Sequence, residues 1–489
     1  MAARKKSFYI IPGAYSMIGI GTIFRRRAGS GGPLPPDYAK WVKEHMVFWY
    51  DMSKPVDVYA ENFNDWTKFT GAKYTVTNKS VNITNFDAVN NACIYIAKSK
   101  KFSGITITVD GLLDGQEIAW GYNNNPLVRM PKNGTYTLEP IDSVTGNIGF
   151  RSINIVGACN ITITQLPSEQ SVPTNEILKA NPYLQDFSGN NRPLKLNNFM
   201  FAAMSGVGGY ELNWTDQSIW ARFLGSRFNG AIEPHKITVT SALGSYNIME
   251  TKVPSYAKKF KVRIDGIVDE TVAYKYINAS GTLVSFDIKE DGEYELPSNN
   301  TVEGNYNMGW AILVNSYPHT CNITIEQIPS YPNALVTDGV DDYGQVQNLQ
   351  QGVKVLFVTI NPFIDGKFIY DQRLNTTEPW LFAVFNDKGS IAYNSRNSNG
   401  KTYIDGILNE STIVSALLNK KQIITIVNND VTGDKTKTPI FFSNTDHNSG
   451  WISSAFYNSF GFDSVPTKET DGFTEQDLID YVLENLITK

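Results

Sequence analysis

A ten-residue segment occurs twice in this chain, as Cys159-Asn-Ile-Thr-Ile-Thr-Gln-Leu-Pro-Ser168 and as Cys321-Asn-Ile-Thr-Ile-Glu-Gln-Ile-Pro-Ser330, with eight of ten positions identical. Alternation at period two reads as a strand, and a strand repeated this closely marks two copies of one folding unit. Upstream landmarks repeat in the same order. Val109-Asp110-Gly111 before Leu112-Leu113-Asp114 corresponds to Ile264-Asp265-Gly266 before Ile267-Val268-Asp269, and Gly134-Thr-Tyr-Thr-Leu138 corresponds to Gly292-Glu-Tyr-Glu-Leu296. The three offsets, 162, 155 and 158, differ only by small loop insertions. Two sister β-domains follow, at about residues 56–168 and 211–330. Asp110 and Asp265 read as turn residues rather than catalytic acids, because Asp-Gly supplies the left-handed backbone that hairpins need.

The rest of the chain has the same texture. Short alternating runs are separated by Gly, Asn, Asp and Pro, which is how antiparallel sandwiches read. Aromatics make up 12% of the 489 residues and charged residues only 19%, a usage that suits pleated, half-buried surfaces. A chain of this length needs more than one core. Two helices are expected at its ends. Asp37 precedes an apolar stripe of Tyr38, Trp41, Val42, His45 and Met46, with His45 expected to pack in the core, and Thr474-Glu-Gln-Asp477 is a capping-box start before Leu478, Val482 and Leu486.

The formal net charge of −5, with acids and bases interspersed, gives no footprint for nucleic acid. Cys93, Cys159 and Cys321 are too few for a disulfide framework, lack zinc-ligand spacing and read as buried free thiols. The apolar run Ser7–Phe24 lies between Arg4-Lys5-Lys6 and Arg25-Arg26-Arg27. Pro12, its glycines and the positive charge on both flanks speak against membrane insertion, and no cleavage site for a secretory signal precedes the arginines. It reads as an extended anchor on another protein, with Arg25, Arg26 and Arg27 at its end and Gly29–Pro36 as a hinge.

Asn181–Asn191 with Leu194–Phe199, and then Leu335–Gly344, resemble the opening strands of laminin-G or concanavalin-A-like jelly rolls found in phage and bacterial surface proteins. Those stretches are adjacent in such proteins, whereas here the second repeat separates them. The first repeat likewise interrupts the join between Phe48–Ser53 and Asn175–Asn181. The expected fold is therefore all-β and multidomain: a discontinuous concanavalin-A-like jelly roll with two inserted homologous β-sandwich repeats and short N- and C-terminal helices. The expected division is 1–33 anchor and hinge, 34–55 helix and lead-in, 56–168 repeat one, 169–210 jelly roll, 211–330 repeat two, 331–473 jelly roll and 474–489 helix.

Met17–Arg27 and Leu34–Tyr38 before Phe48–Asp51 resemble the openings of virion fibre or head-fibre proteins from crAss-like tailed phages of gut Bacteroidales. That resemblance implies a structural protein on the virion surface, made in the bacterial cytoplasm and anchored to capsid or tail proteins by its N-terminus. It implies β-domains that adhere to host-surface glycans. A projecting fibre of this kind is expected to form homo-oligomers, trimers or dimers, by symmetric association.

The four histidines lie in dissimilar contexts, no nucleophile elbow or His-Glu-x-x-His is present, and no enzyme activity is expected. The alternatives are a free carbohydrate-binding module protein and a glycosidase or depolymerase using carboxylates paired in space. Candidate glycan-stacking residues are Trp66, Trp120, Trp214, Trp220 and Trp310, although tryptophan in a sandwich is more often core. Asp338, Asp341 and Asp342 form the densest acid cluster; as a solvated turn they need no ion, and as hard oxygen donors they suit Ca²⁺, the one cofactor considered.

Overall fold

The computed structural model describes residues 37–487 apart from positions 78, 89–90, 123–124, 245, 252–258, 299–308, 350–351, 365–367, 373–381, 386–389, 393–399, 410–413, 416–417, 429–438 and 444–450. The anchor, with Arg25, Arg26 and Arg27, lies outside the described residues. The architecture is all-β and multidomain, with every strand pairing antiparallel within the sheets and helices confined to short segments.

The two repeats share one topology. In the first, one sheet orders its strands Ala72–Val76, Ser80–Phe86, Gly157–Gln165, Ile105–Asp110 and Gly134–Leu138. The second repeat matches these with Phe228–Ile232, Lys236–Ala242, His319–Ile328, Phe260–Asp265 and Gly292–Leu296. The facing sheets correspond just as closely: Thr67–Lys68, Ala92–Ile96, Ile148–Ile153, Glu117–Tyr122 and Asn125–Met130 against Trp220–Arg222, Asn247–Thr251, Gly309–Leu313, Thr271–Ile277 and Leu283–Ile288.

The repeated Cys-Asn-Ile-Thr segment has a geometric reason. In each copy Cys and Asn together oppose a single residue of the neighbouring strand, so the register slips between Ala158 and Ile161 and again between Thr320 and Ile323. This bulge turns the Asn160 and Asn322 carbonyls toward the Asp-Gly turns. A Cβ on Gly111 would lie 1.9 Å from the Asn160 oxygen, and one on Gly266 would lie 2.0 Å from that of Asn322. With φ near +90° both glycines take the left-handed backbone expected there, but Asp110 and Asp265 are the last residues of their strands and the chain then crosses to the facing sheet instead of folding back as a hairpin.

Strands before, between and after the repeats build one host sandwich. Leu194–Asn197 pairs with Tyr343–Val346, Gly206–Val207 with Leu335–Val336, and Met46–Asp51 with Ser453–Phe462. Phe48, Tyr50, Leu194, Leu196, Val346, Leu356, Ile424 and Phe441 meet in its single core, although up to about four hundred residues separate them in sequence. Each inserted repeat leaves through a narrow neck. Val56–Val58 pairs with Glu169–Ser171 at the first, and Gly208 and Gly209 accept from Tyr331 and Ser330 at the second. Closely spaced ends let a whole domain sit at a loop tip without disturbing the host.

The outer face of one host sheet is covered by the terminal helices, Tyr38–His45 and Glu475–Asn485. Trp41, Val42, Leu478, Ile479 and Val482 pack there on Val355, Phe357, Phe460 and Phe462. This explains why Val355–Pro362 is buried on both faces. The Asp37 N-cap accepts from the Lys40 amide, and Thr474 and Asp477 form the expected capping box. Two details differ from expectation. Met46 opens a strand instead of ending the first helix, because its neighbours Val47 and Phe48 are drawn into the host core. His45 is half-buried rather than core, its ring tilted against Trp41 with centroids 4.5 Å apart and its Nδ1 3.0 Å from Asp463.

Candidate functional site

The five tryptophans read as sugar platforms are not surface residues. Trp66, Trp120, Trp214, Trp220 and Trp310 are 6% exposed or less. Trp66 and Trp120 lie 5.4 Å apart with Phe102 and Phe150 around them, while Trp214 and Trp310 make an edge contact in the second repeat. The physical reason is volume: a ten-strand sandwich with few charged residues fills its interior with its largest rings. No stacking surface is formed by these side chains.

Asp338, Asp341 and Asp342 do converge, with one carboxylate oxygen of each within 4.8 Å of the others. Their arrangement is that of a closed turn. Asp342 is fully buried; one of its oxygens accepts from Ser205 Oγ at 3.0 Å and the other from the Asp338 amide at 3.0 Å. Burial, with the Asp338 and Asp341 charges adding to it, pushes the Asp342 carboxyl up to about 7, although the Asp338 amide and Ser205 bonds pull the other way. Through Asp342 the cluster ties the Leu335–Asp338 strand to the Phe201–Ser205 turn.

The thiols are free. Cys93 is fully buried and its pKa is pushed up to about 12 by burial; Cys159 and Cys321 are half-buried, and each points its Sγ at a backbone carbonyl of the neighbouring strand, Ile83 and Val239, at 3.6 Å. They are inert packing groups.

A cleft of about 710 Å³ opens where the first neck meets the host, a size within the range of ordinary ligand pockets. The neck strand Val56–Val58 contributes Asp57, and Tyr59 follows it. The Ala72–Val76/Ser80–Phe86 hairpin of repeat one supplies Val76, Thr77, Lys79 and Ser80. The host wall consists of Ile177 and Asn181 at the Asn175–Ala180 helix, Tyr183, Gln185 and Asp186, with Gln347 and Asn348 beyond.

Several bonds set this geometry. Gln185 Oε1 accepts from the Asp57 amide across the domain boundary at 3.2 Å, and Asp57 accepts from Gln170 Nε2 at 2.9 Å and weakly from Tyr59 Oη at 3.5 Å. Burial, with the neighbouring Asp57 charge, raises the Tyr59 phenol well above its ordinary value, so it stays a neutral donor and acceptor. Lys79 Nζ lies 5.5 Å from the Tyr59 ring. Asp186 is a loop organiser, one oxygen accepting from the Trp49 and Ser188 amides and the other from Arg192 N. Both cleft carboxylates are thus engaged by protein donors. The Asn64 and Asn181 side-chain amides face the cleft without a protein partner among the described residues, beside the two tyrosines.

None of these residues stands out in the sequence, since they come from four separated stretches spanning positions 56 to 348. Reading the first repeat as an insertion is the one signal that points to a junction there. A second group also went unread. His319 Nε2 sits 2.8 Å from Glu270 Oε1 and 3.6 Å from Asp269 Oδ1.

The fold defines a multidomain β-sandwich protein in which one discontinuous sandwich carries two sister sandwiches. No protein-family model and no curated protein matches the chain. Among solved structures, variants of the oxalate decarboxylase OxdC of Bacillus subtilis are similar. One matches at 6% identity and a TM-score of 0.13 over 63% of this chain and 88% of that one, and another at 7% identity with the same TM-score and coverage. A likeness that faint carries no argument about activity. No helix among the described residues is long and apolar enough to cross a membrane.

Proposed function

We propose that this protein is a non-enzymatic adhesive component of a phage particle, and that it holds a neutral polysaccharide segment in the cleft between repeat one and the host sandwich. The observation that carries the binding half is the cleft lining: amides at Asn64 and Asn181 with no hydrogen-bond partner among the described residues, and the rings of Tyr59 and Tyr183, beside a hairpin turn whose Thr77 and Ser80 hydroxyls bond one another. Amides and hydroxyls match the alternating donors and acceptors of sugar hydroxyls, and aromatic rings offer an apolar body for sugar C–H faces. Both cleft carboxylates act as acceptors that organise the neck and a loop, Asp57 from Gln170 and Asp186 from the Trp49, Ser188 and Arg192 amides, which supports binding over glycosidic chemistry, where one carboxyl must donate a proton to the leaving oxygen.

Titration of the whole chain with oligosaccharides from host capsule tests this. Tyr59→Ala and Asn181→Ala are each expected to weaken binding about tenfold, the loss of about 1.4 kcal/mol of contact. Binding that is unchanged in both variants, or reducing sugar released from the polymer, would overturn the reading.

The particle half rests on the resemblance of residues 17–27, 34–38 and 48–51 to phage fibre openings. Immunolabelling of purified particles should place the chain on the virion surface, and a chain lacking residues 1–33 should no longer be incorporated. Unlabelled particles would remove this half and leave the cleft reading standing as a free carbohydrate-binding protein.

A further inference from the structure

The two repeats serve as controls for one another. In repeat one the loop after Asp110-Gly111 is closed by Gln116, whose Oε1 accepts from the Leu113 amide at 3.0 Å. The equivalent residue of repeat two is Glu270, and its Oε2 accepts from the Val268 amide at 2.8 Å and the Asp269 amide at 3.1 Å. Loop closure therefore needs one oxygen, and a neutral glutamine provides it. Repeat two places a full carboxylate there, its side chain only 2% exposed, and aims the second oxygen at His319. The position of His319 in repeat one is Gly157, which has no side chain to offer.

A buried carboxylate is costly unless something returns the lost hydration. Here the second oxygen meets a histidine nitrogen and, beyond it, the exposed carboxylate of Asp269, all three donor atoms within 4.8 Å. Bonds of about 2.0–2.2 Å from a tetrahedral zinc ion place its ligand atoms roughly 3.3–3.5 Å apart. The distances from His319 Nε2, 2.8 Å to Glu270 and 3.6 Å to Asp269, bracket that spacing. Imidazole with two carboxylates is a borderline-to-hard donor set, suited to a divalent first-row metal. The two carboxylates balance the ion's charge. Asp269, with 67% of its side chain exposed, leaves the outer coordination position to water. Cys321 is close by, yet its contact with the Val239 carbonyl is the one Cys159 makes with Ile83 in repeat one, so it belongs to the shared packing and not to this group.

We propose that Asp269, Glu270 and His319 form a divalent transition-metal site, best fitted to Zn²⁺, found in repeat two and lacking in repeat one. Glu270 leads into the Thr271–Ile277 strand of one sheet, and His319 opens the His319–Ile328 strand of the other. An ion held between them clamps the two sheets of the sandwich at one end. It is independent of the glycan cleft, which lies between repeat one and the host sandwich.

The test is metal titration of the full chain after chelator treatment, with Zn²⁺ followed by calorimetry and Co²⁺ by its visible absorption. One equivalent is expected. Asp269→Asn, at an exposed position that the fold does not depend on, should weaken binding at least tenfold, and His319→Gln should abolish the Co²⁺ spectrum. Gln116→Glu should add no second equivalent, because Gly157 supplies no imidazole. Absence of binding by the unaltered chain, or one equivalent persisting at full affinity in both Asp269→Asn and His319→Gln, would overturn the site and leave Glu270 and His319 as a plain ion pair.

Discussion

Phe48→Ala is expected to lower the stability of the host sandwich by about 3–5 kcal/mol, the usual cost of removing a buried phenylalanine, and to leave both repeats unaffected. Phe48 is fully buried, stacked on Tyr50 with ring centres 5.0 Å apart, and edge-on to Phe441 at 5.9 Å. Its ring also lies over Gly461, where a Cβ would come within 2.7 Å of it, so the ring fills space that the glycine leaves open. The cavity left by alanine would have walls from both host sheets, which cannot collapse together while their other strands hold them apart. Scanning calorimetry of the whole chain should show the host transition lowered by roughly 10 °C. The transitions of the repeats should stay in place, since neither repeat core shares a buried residue with the host core. A uniform shift of every transition would mean that the three sandwiches unfold as one unit, and that the division of the chain into host and passengers has no thermodynamic content.

How much of this was legible in the sequence follows from how far apart the determinants lie. The repeat register could be read because its causes are local and occur twice: a bulge at Cys-Asn, an Asp-Gly turn facing it, and a Gly that opens the neighbouring strand. The C-terminal helix could be read because Thr474 and Asp477 satisfy each other's backbone within one turn. The discontinuous host was visible only through the resemblance of separated stretches, since a strand such as Gly206–Val207 is two residues long and takes its identity from Leu335–Val336, more than one hundred residues on.

The candidate sites were the least legible part. Tryptophan was the residue type most suggestive of sugar binding, and in the five positions considered its size drew it into the cores instead. Tyr59, Asn64 and Asn181 carry no motif; they become a site because the neck at Val56–Val58 folds one domain's hairpin against another domain's helix. Glu270 lies forty-nine positions before His319, with Asp269 one further, and nothing in a sheet-forming sequence announces which strand end will meet which loop.

Gly266→Ala is expected to destabilise repeat two by roughly 4 kcal/mol, combining a positive-φ penalty of about 1–3 kcal/mol with a steric one of similar size. At φ +93° an alanine is strained whatever surrounds it, and here its methyl carbon would be placed 2.0 Å from the Asn322 carbonyl oxygen. Neither partner can yield easily: the oxygen is backbone, held by the bulge in the His319–Ile328 strand, and the turn is fixed by the pairing of Ile264 with Ile325 and Gly292. Gly111→Ala should act in the same way on repeat one, with a contact of 1.9 Å at φ +88°. Gly115→Ala separates the two contributions, because that glycine has φ +79° but nothing within 4 Å of a Cβ. It should cost only about 1–2 kcal/mol, the backbone term alone. Calorimetry then reads the pair as assignments: Gly111→Ala lowers one repeat transition and Gly266→Ala the other. If Gly266→Ala cost no more than Gly115→Ala, the bulge would not be pressing its carbonyl onto the turn, and the Cys-Asn-Ile-Thr segment would lose its physical reason for having been kept in both copies.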